Sequence, residues 1–139
     1  FMDRYAFKIY MLDVGLLLAM TDLDASVIID GNRIFTEFKG ALTEQYVLQQ
    51  MIAELGVEPY YYTTANSTGE IDFMLQAPGS VIPVEVKAEE NLRAKSLRAF
   101  CEKYHPKHEV RTSMSDFREQ DWMTNIPLYN IDRIGEYLK

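Results

Sequence analysis

The residues best suited to chemistry are two carboxylates and a lysine that fall within one short segment. Residues 69–88, GEIDFMLQAPGSVIPVEVKA, predict two antiparallel strands joined by a turn at residues 77–80. In this register Asp72 lies directly opposite Glu85, and like charges placed opposite each other destabilise a strand pair. A divalent cation would turn this repulsion into coordination, because carboxylate oxygens bind hard cations at about 2–2.5 Å. Lys87 shares a face with Glu85 and could reach a water held by such a cation.

The same hairpin also has a simpler interpretation, in which its polar face is only exposed to solvent. Glu70 and Lys87 would then form an ion pair, and Asp72 would splay away from Glu85. A β-bulge would also shift the register and separate the two carboxylates. The opposite face of the hairpin is apolar throughout, which predicts that it packs on a core: Ile71, Phe73, Leu75, Ile82, Val84 and Val86. From the hairpin alone both interpretations remain open.

A third carboxylate comes from a long helix predicted over residues 38–55, FKGALTEQYVLQQMIAEL, and ended by Gly56. One stripe of this helix consists of Ala41, Glu44, Leu48, Met51 and Leu55. A glutamate in a packing stripe often marks only the edge of the buried surface. A buried carboxylate needs a partner, however, and a metal ion held by the hairpin would be one.

The remaining segments predict a mixture of strands and helices. AFKIYML alternates like a short strand, DVGLLLAMTD suits a helix capped by Asp13, and VEPYYYTT suits a strand. EENLRAKSLRAFCEKYHP predicts a second long helix, HEVRTSM a strand, and IPLYNI with DRIGEYL a last strand and helix. The fold class expected from this order is α/β, with a central mixed sheet flanked by helices.

Size and charge restrict the function further. The chain has 139 residues, enough for one domain, and a net charge of −7, which argues against a general nucleic-acid coat protein. Half of the 14 Lys and Arg residues nevertheless lie between Lys87 and Arg111. Within that segment we expect Arg93, Lys95 and Arg98 to face a phosphate backbone, although a solvated helix face would show the same clustering.

The single cysteine and the lack of a long apolar run indicate the cellular setting. Cys101 excludes an internal disulfide, which favours a reducing cytoplasm. No apolar run reaches the roughly 20 residues that a membrane span requires. We therefore expect a cytoplasmic protein without a membrane partner. The start at Phe1 ahead of Met2 suggests a fragment of a longer protein.

Glu44 on a helix, Asp72 on one strand and Glu85-Val86-Lys87 on the next resemble the PD-(D/E)XK nuclease superfamily. Its restriction-endonuclease-like core places such groups around magnesium. Five blocks, FKIYMLDVGLL, FKGALTEQYVLQQM, GEIDFMLQ, VIPVEVKAEENLRAKSLRAFCEKYHP and IPLYNI, together resemble the C-terminal domain of a family of prokaryotic AAA-plus ATPases. That domain has a nuclease-like fold.

The resemblance implies a role for each matching residue. Asp72 and Glu85 correspond to the metal-binding acids, Lys87 to the catalytic lysine, and Glu44 to the helix acid, while Val86 would contribute its backbone carbonyl. The implied cofactor is Mg²⁺ or Mn²⁺. One departure is that Ile71, rather than proline, precedes the aspartate.

The resemblance also implies a function for the chain. Residues 1–139 would form one nuclease-like domain that cleaves DNA, with residues 1–30 linking it to an N-terminal ATPase domain through which the protein could form oligomers. No Gly-x-x-x-x-Gly-Lys motif occurs in this chain, so ATPase activity would belong to that other part. The alternative is a nuclease-fold module that does not cut and binds nucleic acid or protein, which the acidic net charge favours.

Overall fold

A six-stranded mixed sheet forms the centre of the structure. The computed structural model describes residues 7–22, 33–64, 69–88 and 94–139, with the backbone alone for residues 33–37. The strands are β1 (Tyr60–Thr63), β2 (Glu70–Ala77), β3 (Ser80–Val86), β4 (Val110–Ser113), β5 (Arg118–Glu119) and β6 (Thr124–Pro127). Their spatial order is β1-β2-β3-β4-β6-β5, with antiparallel pairing except for the parallel pairs β3/β4 and β4/β6. The predicted α/β class with a mixed sheet is confirmed.

Helices flank this sheet, and the first of them packs on the second rather than on the strands. They are α1 (Val14–Met20), α2 (Arg33–Gln50) with a π-helical turn at Met51–Leu55, α3 (Lys95–Tyr104) and a kinked 3₁₀ segment (Leu128–Leu138). Asp13 caps α1 as predicted, since its Oδ1 accepts a hydrogen bond from the Leu16 amide at 2.8 Å. In the part of the chain that is described, no helix is long and apolar enough to cross a membrane.

Two apolar clusters join the helices to the sheet. The first lies between the sheet, α2 and the 3₁₀ segment, and it includes Val47, Met51, Phe73, Leu75, Ile82, Val84, Val86, Val110, Ile126, Ile131 and Ile134. The second packs α3 against the other side, and it includes Ile71, Ala94, Leu97, Phe100, Cys101 and Met123. Burial of these side chains at about 25 cal/mol per Å² is the main force that holds the helices on the sheet.

The predicted hairpin forms in the predicted register. Phe73 pairs with Val84 and Leu75 with Ile82. The turn is shorter than expected, because Ala77 and Ser80 still form a pair and only residues 78–79 turn. Gly79 has a φ of 68°, in the left-handed region that glycine adopts without steric cost.

The ladder between β2 and β3 ends before it reaches the acidic residues. The last pair is Phe73–Val84, so the predicted cross-strand pairing of Asp72 with Glu85 does not form. That of Glu70 with Lys87 does not form either. The start of β2 pairs only with β1, and the end of β3 pairs only with β4. The two strands therefore fork at the point where the carboxylates lie.

A β-bulge in β2 adds to this fork. Tyr60 pairs with Met74 and Tyr62 with Ile71, so three steps along β2 match two steps along β1. The extra residue changes the alternation of β2: Ile71 packs in the α3 cluster, whereas Phe73 packs in the α2 cluster. Bulges re-aim side chains in this way, and here the re-aimed region contains Asp72.

The segment before α1 corrects one expectation. Its alternating pattern predicts a strand, but residues 7–11 form no regular element. Gln45 instead binds this segment to α2, because its side-chain amide accepts from the Met11 amide at 2.8 Å and donates to the Met11 carbonyl at 2.9 Å. Side chains do alternate between solvent and protein, but in the opposite sense to the one expected. The apolar Phe7 and Ile9 are exposed, while Lys8 and Tyr10 face the protein.

Candidate functional site

Asp72 lies in the fork between β2 and β3, where a backbone amide fixes its carboxylate. The Val86 N–H donates to Asp72 Oδ2 at 2.7 Å, and the Asp72 side chain is only 20% exposed. Burial raises the pKa of Asp72 to about 7, and repulsion from Glu85 and Glu44 adds to this effect. The Val86 hydrogen bond and Lys8 act in the opposite direction without cancelling it. Asp72 is therefore a carboxylate that lacks sufficient positive charge around it.

Glu85 is the most buried of the candidate acids, at 5% exposure. Its Oε1 lies 2.5 Å from Lys87 Nζ, so the predicted proximity of these two side chains is observed. Its Oε2 is buried and accepts no hydrogen bond within the described part of the chain. An unsatisfied buried acceptor costs about 1–3 kcal/mol, and more when it is charged. This oxygen is free to take a ligand.

A buried polar row crosses the sheet beside Glu85. The Cα positions of Glu85, Arg111 and Asn125 are neighbours on β3, β4 and β6. Arg111 is 2% exposed, and its Nε donates to Asn125 Oδ1 at 2.9 Å. Burial lowers the pKa of Arg111, and Arg118 also lowers it, while Glu85 raises it. Because an arginine keeps its charge in proteins, Arg111 offsets the negative charge of Glu85 inside the sheet.

Glu44 meets the fork from α2, and two residues of the N-terminal segment hold it there. Lys8 Nζ lies 2.7 Å from Glu44 Oε1, also pairs with Glu70, and is 4.0 Å from Asp72 Oδ1. The Tyr10 hydroxyl donates a second hydrogen bond to Glu44 Oε1. We call Glu44, Glu70, Asp72 and Lys8 the acidic cluster. It places Glu44 near Asp72, as expected from the sequence.

The electrostatics of this cluster show how strongly Lys8 is held. Burial lowers the pKa of Lys8, but its hydrogen bonds to Glu44 and Glu70 outweigh that effect and raise the pKa above the usual value. Burial also raises the pKa of Tyr10, as does its bond to Glu44. Both groups therefore keep their protons at neutral pH. Sequence inspection missed these two residues because nothing in their own segment indicates the helix acid that they bind.

The oxygen atoms at the fork show which metal ion the site would suit. The oxygens of Asp72 and Glu85 and the Val86 carbonyl are the hard ligands that Mg²⁺ and Mn²⁺ prefer, and Glu85 Oε2 accepts no hydrogen bond from the described residues. The described residues contain no group of three acidic, His or Cys side chains already arranged to hold a metal ion. The ammonium groups of Lys8 and Lys87 instead bind the carboxylates. The residue types fit a cation, and a change of side-chain conformation would be needed to close the site.

Of the three basic residues expected to face phosphate, the structure describes Lys95 and Arg98. Lys95 lines a groove beside α3. Arg98 Nε pairs with Glu102 Oε1 at 3.0 Å, and its guanidinium lies 5.9 Å from the Trp122 ring, outside that groove. Arg93 lies outside the described residues. Lys103 lines the groove as well and was not selected from the sequence.

Comparison with known families can now be added to this geometry. The model of a family described as a domain of unknown function, DUF4143, matches residues 39–131, which include Glu44, Asp72, Glu85 and Lys87. The chain belongs to the DUF4143 family. The matched range covers the sheet, α3 and most of α2, while Lys8 and Tyr10 lie before it.

Two mycobacterial proteins are similar to this DUF4143 chain. Uncharacterized proteins of Mycobacterium bovis and Mycobacterium tuberculosis are each 31% identical to it over 85 residues, or 61% of the chain. The aligned part is 18% of the length of either relative, so the chain spans a small share of these proteins. No solved structure matches the chain.

Proposed function

We propose that this DUF4143 chain is a metal-dependent phosphodiesterase domain with a restriction-endonuclease-like core, and that it acts on DNA. The observation that carries the proposal is the strand fork. It brings Asp72 next to Glu85-Val86-Lys87 and leaves Glu85 Oε2 buried without a hydrogen bond. A carboxylate kept buried and unsatisfied lowers stability, and such costs concentrate at functional sites.

Each residue has a distinct part in this proposal. Asp72, Glu85 and the Val86 carbonyl would hold Mg²⁺ or Mn²⁺, with Glu44 on the α2 side of the site. When bound, the ion supplies a Lewis acid for the scissile phosphate and lowers the pKa of a bound water. Lys87 Nζ, which lies 2.5 Å from Glu85 Oε1, would orient the attacking water and stabilise the negative charge on the phosphate.

The rest of the proposal concerns the longer protein. The aligned part is only 18% of the mycobacterial relatives, so other domains accompany this segment in those proteins. We propose that a DUF4143 protein couples this domain to an N-terminal AAA-plus ATPase domain, through which oligomers would form. Such a motor could move DNA past the fork, although the chain itself carries no ATP-binding motif.

A second candidate function is a module of the same fold that binds nucleic acid or protein without cutting. The observation that favours it is Lys8, whose ammonium contacts Glu44 and Glu70 and lies 4.0 Å from Asp72. A lysine in that place neutralises part of the charge of the three carboxylates without any metal ion. The net charge of −7 also disfavours extensive phosphate contacts.

Metal titration separates the two candidates. The melting temperature should be followed as Mg²⁺ or Mn²⁺ is added, with Ca²⁺ as a non-catalytic comparison. A cation at 100 times its Kd stabilises the protein by about 2.7 kcal/mol. Asp72→Asn should abolish this shift, whereas Asp132→Asn, at an exposed position, should preserve it.

Cleavage assays complete the test. The full-length protein should be incubated with single-stranded, duplex and branched DNA in the presence of Mn²⁺ and ATP. Cleavage that is lost in Lys87→Met and Asp72→Asn would support the phosphodiesterase. A protein that shows neither a metal-dependent melting shift nor cleavage would instead be the non-cutting module.

A further inference from the structure

A groove of about 270 Å³ lies between α3 and the β1/β2 edge of the sheet. The α3 side contributes one face of that helix, namely Lys95, Ser96, Ala99, Phe100, Lys103 and Tyr104. Tyr62, Thr64 and Glu70 line the sheet side. The volume is slightly below the roughly 300–1,000 Å³ of drug-sized ligand sites, so it suits one aromatic ring system rather than a large ligand.

Three aromatic rings form one wall of the groove. The Tyr62 ring meets Phe100 edge-on with centroids 5.0 Å apart and Tyr104 with centroids 6.0 Å apart. Phe100 is buried and anchors the group, whereas Tyr104 is 47% exposed. The hydroxyls of Tyr62 and Tyr104 lie 3.2 Å apart at the exposed end. Tyr104 therefore presents an aromatic ring to solvent on a fixed support.

Positive charge accompanies these rings. Lys95 and Lys103 lie two turns apart on the same face of α3, and Lys103 Nζ is 4.8 Å from the centroid of the Tyr104 ring. Aromatic rings next to lysines are the combination that binds single-stranded nucleic acids, since bases stack on the rings and cations contact the phosphates. A duplex cannot use such rings, because its bases are already stacked.

We propose that this groove binds an unpaired nucleobase of single-stranded nucleic acid, with the flanking phosphates at Lys95 and Lys103. The base stacks on the exposed ring of Tyr104, which the Tyr62 ring supports edge-on. The inference deepens the proposed function, on which it rests for the class of ligand, and it specifies an unpaired rather than a duplex substrate.

The groove and the acidic cluster share one residue, which connects the two sites. Glu70 lines the groove and also pairs with Lys8, whose ammonium is 4.0 Å from Asp72. A strand with one base in the groove would therefore continue directly toward the proposed cleavage site. Because Lys8 neutralises Glu70, this carboxylate repels an approaching phosphate less than a free glutamate would.

Binding without metal tests the inference independently of cleavage. Fluorescence anisotropy should be measured with a labelled short oligothymidylate and with a duplex of the same length, in buffer that contains EDTA. We expect tighter binding of the single strand. Tyr104→Ala should weaken it about 10-fold or more, since loss of one stacking ring has effects of that order, while Tyr104→Phe keeps the ring and stays within about twofold. Tyr129→Ala, at another exposed tyrosine, is the matched control and should bind like the original protein.

The salt dependence tests the lysines. Lys103→Gln should reduce the slope of log K against log salt by about 0.7, the value for one phosphate contact on a single strand. The inference is overturned by equal affinity for single strand and duplex, by Tyr104→Ala binding as well as Tyr129→Ala, or by an absence of oligonucleotide binding.

The two proposals can fail separately. If the protein cleaves DNA but Tyr104→Ala has no effect on binding or cleavage, the groove inference alone is wrong. If the single-strand preference depends on Tyr104 but no metal shift or cleavage is found, the groove stands and the domain is a non-cutting binding module.

Discussion

Asp72→Asn is the most informative substitution, because it removes one charge and little else. Asparagine has the same shape, and its side-chain oxygen can still accept the Val86 N–H bond that Asp72 Oδ2 accepts at 2.7 Å. Burial raises the pKa of the Asp72 carboxyl to about 7 from the ordinary value of 3.8, and Glu85 and Glu44 contribute to the rise. Asp72 therefore costs stability whenever it is ionised in the metal-free protein.

The sign of the pH dependence follows from proton uptake. Between pH 4 and pH 7 the unfolded chain has already released the Asp72 proton while the folded chain still holds it. The stability that the protein has below the pKa of Asp72 in the unfolded chain is therefore lost as the pH rises to the pKa of Asp72 in the folded protein. Each unit of pKa difference corresponds to about 1.36 kcal/mol, so the rise from 3.8 to about 7 makes the full loss above pH 7 about 4 kcal/mol. Asparagine cannot ionise, and Asp72→Asn should escape this loss.

Urea unfolding in EDTA at pH 5 and pH 8 measures the effect. The free energy of unfolding of Asp72→Asn should exceed that of the original protein by an amount that grows from pH 5 to pH 8. Asp132→Asn, at an exposed position, is the control and should show no such growth. A variant that is several kcal/mol less stable at pH 8 would refute the reasoning. It would show that the ionised carboxylate is a structural acceptor in the fork.

Three further substitutions test other parts of the structure. Lys8→Met should lower the free energy of unfolding of the metal-free protein by about 1–3 kcal/mol, because it leaves Glu44 and Glu70 without their cation. It should also enlarge the rise in melting temperature caused by Mn²⁺. Lys107→Met, at an exposed position, is the control. Arg111→Met should cost about 1–3 kcal/mol in urea unfolding, because it removes the hydrogen bond to Asn125 and one of the two cations beside Glu85, while Lys87 stays paired with Glu85. An unchanged free energy of unfolding would show that Arg111 does not compensate Glu85. Gly79→Ala should cost about 1–2 kcal/mol from backbone strain alone, given its φ of 68° and the open space around it, and an unchanged melting temperature would contradict this.

The hairpin shows how far local sequence determines structure. The apolar residues Phe73, Leu75, Ile82 and Val84 are enough to fix the register, because a slip by one residue would turn them away from the core. The bulge places Ile71 in the other cluster, which the sequence pattern did not predict. The fork is not encoded in that pattern. It arises because the Val86 N–H bonds to the Asp72 side chain and because Glu85 pairs with β4, a strand outside the hairpin.

The N-terminal segment shows a different limit. Its alternation predicts a strand, and alternate side chains do face the protein, but they are the polar ones. No strand forms, because the side chain of Gln45 supplies the hydrogen bonds to the backbone that a sheet would have supplied. The functional consequence was missed for the same reason. Lys8 and Tyr10 acquire their importance only through contact with Glu44, more than thirty residues away.

The helix after the hairpin was predicted correctly as an element, while its contact with phosphate stays a prediction. The clustering of basic residues could not show which face of this helix is open. Arg98 bonds to Glu102, so it is less available for phosphate, whereas Lys95 and Lys103 share the face that carries Tyr104. The rotation of the helix relative to the sheet decides this, and it is set by burial of Leu97, Phe100 and Cys101.

The position of Lys8 explains how one arrangement can be compatible with both candidate functions. Three carboxylates around a single ammonium are neutralised in part, so the acidic cluster can exist in the folded metal-free protein at all. A divalent ion brings twice the charge and accepts more oxygen ligands, and it would compete with Lys8 for Asp72 and Glu44. If Lys8→Met makes the metal-dependent melting shift larger, the ammonium and the cation occupy alternative states of one site. If Lys8→Met lowers the stability and no metal binds, Lys8 is the permanent counter-ion of a site that holds no metal. The function of the domain would then be the binding of a ligand in the groove.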